Sequence, residues 1–141
     1  MKSREQLVQH LRTFLGVKFQ HQGRSRHGMD CVGLPLEGCK FLGVPVEDVK
    51  AYGREGLPGQ LSAIISKYGV RVPVSDRRPG NIGVFWFDRY SKADQHVGVF
   101  TDVGLIHCYM DAGKVVEHSL TGRWIRRLSA VFSYPGLENQ V

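Results

Sequence analysis

The sequence has no run of about 18 apolar residues, which excludes a membrane-spanning helix. It has only three cysteines, Cys31, Cys39 and Cys108. That odd, scattered set excludes a disulfide framework and fits a reducing site of synthesis. It has no block of about five like charges, so no tail that folds onto nucleic acid is expected. The first residues, Met1 to Gln6, are polar and run straight into an amphipathic pattern. A signal peptide is therefore not expected, and an extracellular role would need another export route. There is no internal repeat, low-complexity tract or long linker, so one domain over 1–141 is expected.

Hydrophobic residues make up 42% of the chain and charged residues 23%, enough for one core without metal or disulfides. The formal net charge of +6 favours a polyanion: nucleic acid, acidic membrane or anionic cell-wall polymer. The basic residues are spread as Arg24 and Arg26, Arg77 and Arg78, then Arg123, Arg126 and Arg127. No nucleic-acid module or aromatic-basic interleaving appears, so nucleic acid is not the expected partner.

Ser3 and Gln6 form a capping box ahead of Leu7, Leu11, Phe14 and Leu15, which predicts a helix over 3–14 that stops at Gly16. Residues 20–29 read as a polar loop. Pro35 is tolerated only in a first helical turn, so a second helix should start at Asp30 or Cys31 and end near Gly43. A third helix is expected over 61–68, after an irregular connection containing Gly53, Gly56, Pro58 and Gly59. Beyond the Pro79-Gly80 turn come short β-rich runs at 83–87, 97–101, 105–109, 114–118 and 130–134. Helices first and strands second predict an α+β fold, with N-terminal helices on an antiparallel sheet of about five strands.

Cys31, at the start of a helix, has the position of a nucleophile. Helix N-terminal charge and a nearby histidine favour a thiolate, and the free helix amides could hold an oxyanion. Cys39 and Cys108 sit in apolar patterns and read as core residues. His96 and His107 fall on consecutive strands. If Thr101 faces Gly104 across the hairpin, His96 faces Tyr109 and His107 lies diagonally across on the same face. A three-residue loop would put them on opposite faces. In the first register His96 takes the thiol proton, forming an ion pair with Cys31, and His107 holds the far nitrogen of His96. Zinc held by Cys31, His96 and His107 is the chemical rival, but no short-spacing ligand pair supports it, so no metal or other cofactor is expected. His118 is a second candidate orienter. His21 and His27 sit in the loop before Cys31, and His10 reads as helix surface. Trp86 and Trp124 read as core.

These residues resemble the NlpC-type cell-wall cysteine peptidases, which have a papain-like fold. The resemblance lies in Gly16-Val17-Lys18-Phe19, Gly23, and Gly28-Met29-Asp30-Cys31-Val32-Gly33-Leu34. It continues in Pro79-Gly80-Asn81 with Phe85, in His96-Val97-Gly98-Val99-Phe100, and in Leu105-Ile106-His107-Cys108. It implies catalysis by Cys31, His96 and His107, with Asp30, Phe19, Arg24 and Tyr52 lining the substrate site. It also implies cleavage of peptidoglycan stem peptides, typically between D-glutamate and diaminopimelate. Gly23-Arg24-Ser25-Arg26, Tyr52-Gly53-Arg54 and the Trp124, Arg126, Arg127 segment are most similar to the phage and prophage tail-associated branch. That implies possible phage tail partners and action in the periplasm or cell wall, delivered by the virion. The chain departs from the motif at Val32 for serine, Phe19 for tyrosine and Asn81 for aspartate. In some relatives the motif aspartate, serine and tyrosine recognise a free amine, so an intact, crosslinked wall is a plausible substrate instead. Two alternatives stand beside the peptidase: a tail-assembly component that keeps the fold without turnover, and an amidase or acyltransferase using the same dyad.

Overall fold

Ser3 caps the first helix as its sequence predicts. Its hydroxyl accepts from the Gln6 amide (3.1 Å), and the Gln6 side chain accepts from the Ser3 amide (2.8 Å). A computed structural model of the chain describes residues 1–48, 50, 52, 59–86 and 94–137. In chain order the elements are α1 Arg4–Arg12, β1 Arg24–Ser25, β2 Gly28–Met29, α2 Gly33–Leu42, α3 Gln60–Ile65 and β3 Val70–Val72. They continue with β4 Ile82–Trp86, β5 Asp94–Phe100, β6 Leu105–Tyr109, β7 Lys114–His118, α4 Gly122–Arg126 and β8 Leu128–Ser133. The end of the strand expected over 83–87 and the Gly53, Gly56 and Pro58 connection lie outside the described residues.

The sheet is antiparallel in the order β3-β8-β4-β5-β6-β7, six strands where about five were expected. The extra strand, β3, is a largely exposed edge whose Val70-Arg71-Val72 alternation is too short to mark a strand. The stretch expected to be loop at 20–29 holds the two-residue strands β1 and β2, paired as a hairpin.

Period-two alternation divides the sheet into two buried faces. Ile82, Val84, Val97, Val99, Ile106, Cys108 and Phe132 join Leu7 and Leu11 of α1, Leu34 and Cys39 of α2, and Leu61 and Ile65 of α3 in the larger core. On the other face Phe85, Phe100, Leu105 and Val131 pack with Trp124 of α4. That helix was not expected. It has only five residues, and its one buried residue is Trp124, so packing rather than helical periodicity defines it.

The helix α2 begins at Gly33, two residues or more later than expected, with Pro35 still inside the first turn. It stops at Gly43, which adopts the left-handed conformation (φ 72°) that glycine tolerates best. Asn81 of the Pro-Gly-Asn turn is fully buried. It accepts from Arg4 (2.8 Å) and donates to the Asp76 carbonyl (2.8 Å), tying α1 to the start of β4.

At Gly38 the backbone of α2 passes the Tyr134 ring so closely that an added Cβ would lie 2.5 Å from the hydroxyl. That hydroxyl donates to the Pro35 carbonyl at 2.6 Å. Helix propensity alone favours alanine over glycine by about 1 kcal/mol. Gly38→Ala is nevertheless expected to destabilise the protein by about 1–3 kcal/mol, because Tyr134 must move. Urea denaturation measures this, and a gain in stability would contradict the close approach.

Candidate active site

The site starts from a turn. The hairpin of β1 and β2 reverses the chain, and Met29 is held by backbone bonds to Lys18 (3.0 Å) and Gln20 (2.9 Å). Asp30 and Cys31 follow, immediately before α2. Asp30 is 2% exposed, and its carboxylate accepts from five donors. Oδ1 takes the amides of Val32 (3.1 Å) and Gly33 (3.0 Å) and Nη1 of Arg24 (2.8 Å). Oδ2 takes the Gln22 amide (2.9 Å) and the Tyr52 hydroxyl. Gln22 adopts a positive φ of 61°, unusual for a side-chain-bearing residue.

Asp30 thus binds the first free amides at the start of α2, whose N-cap residue is Val32, and this turn sets the late start of the helix. A carboxylate offers about four lone-pair sites, so this one has no vacancy for a substrate amine. Asp30 therefore has an architectural role in this site. Arg24 and Tyr52 turn toward Asp30 as well. Arg24 also holds Asp48 (2.9 Å) and donates to the Tyr52 hydroxyl (2.6 Å). Burial, then the Asp30 carboxylate, push the Tyr52 phenol above its usual range, so it stays protonated and donates. Phe19 is half-buried against the larger core, and Gly53 and Arg54 lie outside the described residues. His21 meets the Tyr52 ring edge-on, His27 is exposed, and His10 stacks on Phe41 at 4.4 Å rather than facing only solvent.

The two helix amides once available for an oxyanion, Val32 and Gly33, are therefore occupied. Among the described residues the Cys31 amide has no hydrogen-bond partner, which makes it the candidate oxyanion donor. The Val97 backbone on β5, the residue after His96, lowers the Cys31 thiol against the larger effect of burial, which puts the two side by side. Cys39 and Cys108 are fully buried, as their apolar patterns suggest, and the Cys108 thiol donates to the Met29 carbonyl at 3.0 Å.

The hairpin of β5 and β6 has the first of the two registers. Val99 lies opposite Ile106 and Phe100 opposite Leu105, and the Thr101 amide bonds the Gly104 carbonyl at 2.9 Å. His96 and His107 thus share a face. His96 Nε2 meets His107 Nδ1 at 2.5 Å, and His107 Nε2 meets His118 Nε2 at 2.8 Å. His118 Nδ1 ends the chain on the Ser119 carbonyl at 2.9 Å. Gly98 makes room for this: a Cβ there would lie 3.0 Å from the His107 Cβ. Trp124 packs against all three imidazoles, with centroids 5.6, 5.0 and 5.8 Å away, and Tyr109 stacks on His107 at 5.2 Å. This shielding by Trp124 and Tyr109 was missed in the sequence. Only the position of Tyr109 opposite His96 signalled it.

Similarity of structure decides the fold. NlpC2 from Trichomonas vaginalis matches with a TM-score of 0.71 at 19% identity, over 93% of this chain and 46% of that one. An NlpC/P60 family protein from Bacillus cereus matches at 0.72 and 23% identity, over 94% and 40%. The fold is that of the NlpC/P60 proteins. The NlpC/P60 domain of the peptidoglycan hydrolase SagA matches at 0.62 and 21% identity, over 93% of this chain and 98% of that domain. The chain spans less than half the length of the first two. No protein-family model and no curated protein sequence matches it.

Within this NlpC/P60 fold, burial sets the resting charges. Burial, then the Asp30 carboxylate, push the Cys31 thiol up to about 12. Burial, then the neighbouring His118, lower His96 to about 3, and burial with His96 lowers His107 to about 2. Burial therefore favours a neutral thiol and a neutral imidazole at rest, against the ion pair that the position of Cys31 suggests. Among the described residues no group of three or more His, Cys, Asp or Glu side chains is arranged to hold a metal ion.

Histidines held neutral make stability depend on pH. Their folded values lie below the unfolded 6.5, so this contribution is complete above 6.5 and is lost as pH falls toward about 3. His96 and His107 should each add up to about 1.4 kcal/mol per pH unit to the acid-side slope. His10, lowered by burial, acts in the same direction. Denaturation between pH 6.5 and pH 4.5 measures this before most carboxylates titrate, and a flat profile would contradict the neutral pair.

Proposed function

We propose that the chain hydrolyses an amide bond in peptidoglycan stem peptides, with Cys31 as nucleophile, His96 as general base and His107 as its orienting partner. The observation that carries this reading is the His96–His107 bond on the β5–β6 hairpin, with Cys31 placed just before α2 and acted on by the backbone of the residue after His96. The SagA domain and the RipB protein of Mycobacterium tuberculosis, which share the fold, are described as peptidoglycan hydrolases. The net charge of +6 suits an anionic wall.

The neutral resting pair favours proton transfer during attack. His96 accepts the Cys31 proton as sulfur bonds to the amide carbon, and the oxyanion forms beside the Cys31 amide. The imidazolium then gives its proton to the leaving amine, and the C–N bond breaks. Water, deprotonated by His96, attacks the thioester, releasing the acid and restoring the thiol.

Saturation of Asp30 supports a substrate whose amine is already acylated, as in an intact or crosslinked wall. The bond between D-glutamate and diaminopimelate is the proposed target. Delivery by a phage or prophage tail belongs to the same reading, supported by the Gly23-Arg24-Ser25-Arg26 and Asp-Cys-Val-Gly-Leu pattern. No helix among the described residues is long and apolar enough to cross a membrane.

Purified protein incubated with peptidoglycan sacculi should release peptides that mass analysis assigns to stem cleavage. Cys31→Ala should lower the rate at least about a thousandfold. Unchanged degradation by that variant would overturn Cys31 as the nucleophile, no degradation by the wild type would leave a non-catalytic wall or tail component, and whole stem peptides freed from a sugar that keeps its carboxylate would mark an amidase instead. Stem peptides with a blocked amine should be cut within about tenfold of those with a free amine, since no carboxylate is left to read it. A strong preference for the free amine would contradict the proposed role of Asp30.

A further inference from the structure

His118 lies beyond the pair that the proposed chemistry needs, yet its ring is bonded on both sides. A carbonyl oxygen only accepts, so His118 Nδ1, 2.9 Å from the Ser119 carbonyl, must carry a hydrogen. In neutral His118 the other nitrogen, Nε2, is then an acceptor. His107 Nε2, 2.8 Å away, must donate to it. His107 Nδ1 is therefore the acceptor on its own ring, and His96 Nε2 must donate to it across 2.5 Å. What remains on His96 is a lone pair at Nδ1, the state a general base requires.

We propose that His118 is a positioning residue: through His107, its bond to the Ser119 carbonyl fixes His96 in the Nε2–H tautomer, with Nδ1 basic. One fixed acceptor at the partly exposed end of the chain thus sets the protonation pattern at the buried end, 22 residues earlier in the sequence. Without it, His107 could donate from Nδ1 and force His96 into the opposite tautomer, with Nδ1 protonated and useless as a base. Packing keeps the order. Trp124 of α4 meets the His118 ring at 5.8 Å and brings no charge, and the Arg123 guanidinium lies 5.9 Å from the Trp124 ring on its own helix. Glu117, the charged neighbour on β7, is engaged by Arg12 at 2.8 Å.

The effect on rate rests on the peptidase reading, but the tautomers do not. Nitrogen-15 NMR of the resting wild-type protein should show hydrogen on Nδ1 of His118 and on Nε2 of His107 and His96. A hydrogen on Nδ1 of His96 would overturn the proposal whatever the protein hydrolyses. His118→Phe, which keeps a ring against Trp124, should mix the His96 tautomers. It should also lower kcat on sacculi at least about tenfold with little change in KM. His118→Gln, whose amide oxygen can still accept from His107, should restore most of that loss. Wild-type kcat and an unmixed tautomer in His118→Phe would refute the role. If the wild-type protein cuts no wall material, the peptidase reading fails alone, and the NMR result still decides the role of His118.

Discussion

The Asp30 carboxylate, buried with five donors around it, holds the site together. An ionised carboxylate is costly to bury unless every lone pair is matched. Here the matching groups come from three places: the turn at Gln22 and Arg24, the start of α2, and Tyr52. Satisfying one charge therefore fixes three segments relative to one another. Cys31 follows Asp30 directly, so its position is set by the same network. The unusual backbone of Gln22 fits this account, because its amide is one of the five donors.

The second constraint is dryness. Trp124 and Tyr109 wall the imidazole chain, and His96 and His107 are 2% and 0% exposed. Low dielectric makes each hydrogen bond between rings stronger and each charge more costly. A buried neutral chain of imidazoles has only a few proton arrangements open to it, and a carbonyl at one end selects among them. The same dryness raises the Cys31 thiol and lowers His96, which favours the uncharged form of both. In the proposed chemistry, charge separation is then deferred to the encounter with substrate.

Much of this was legible in the sequence where local chemistry decides structure. The capping box at Ser3 and Gln6, the stop at Gly43 and the apolar alternation of β4 to β8 needed no tertiary information. The hairpin register was left open between two choices. Thr101 settles it: its hydroxyl accepts from the amides of Val103 (3.2 Å) and Gly104 (3.0 Å), closing a two-residue loop. The strand β3 and the helix α4 were not legible, because a three-residue edge and a five-residue helix are too short for their periods to stand out. The saturation of Asp30 was hidden for another reason. Its donors are spread over residues 22–52, and nothing in their spacing says that they converge on one carboxylate.

That convergence bears on selectivity. An acidic residue beside a nucleophile reads, by residue type, as a hook for a cationic amine. In this chain Arg24 already supplies the positive charge at 2.8 Å, and the remaining lone pairs cap a helix. An incoming ammonium would have to displace a guanidinium or two backbone amides, each itself nearly buried, and would leave them unpaired. The departures at Phe19 and Val32 point the same way, since each removes a hydroxyl that could have shared the amine. On the proposed reading, attraction to an anionic wall then falls to the spread basic residues rather than to Asp30. If the proposed chemistry holds, such a site would read the backbone it cuts more than the terminus beside it.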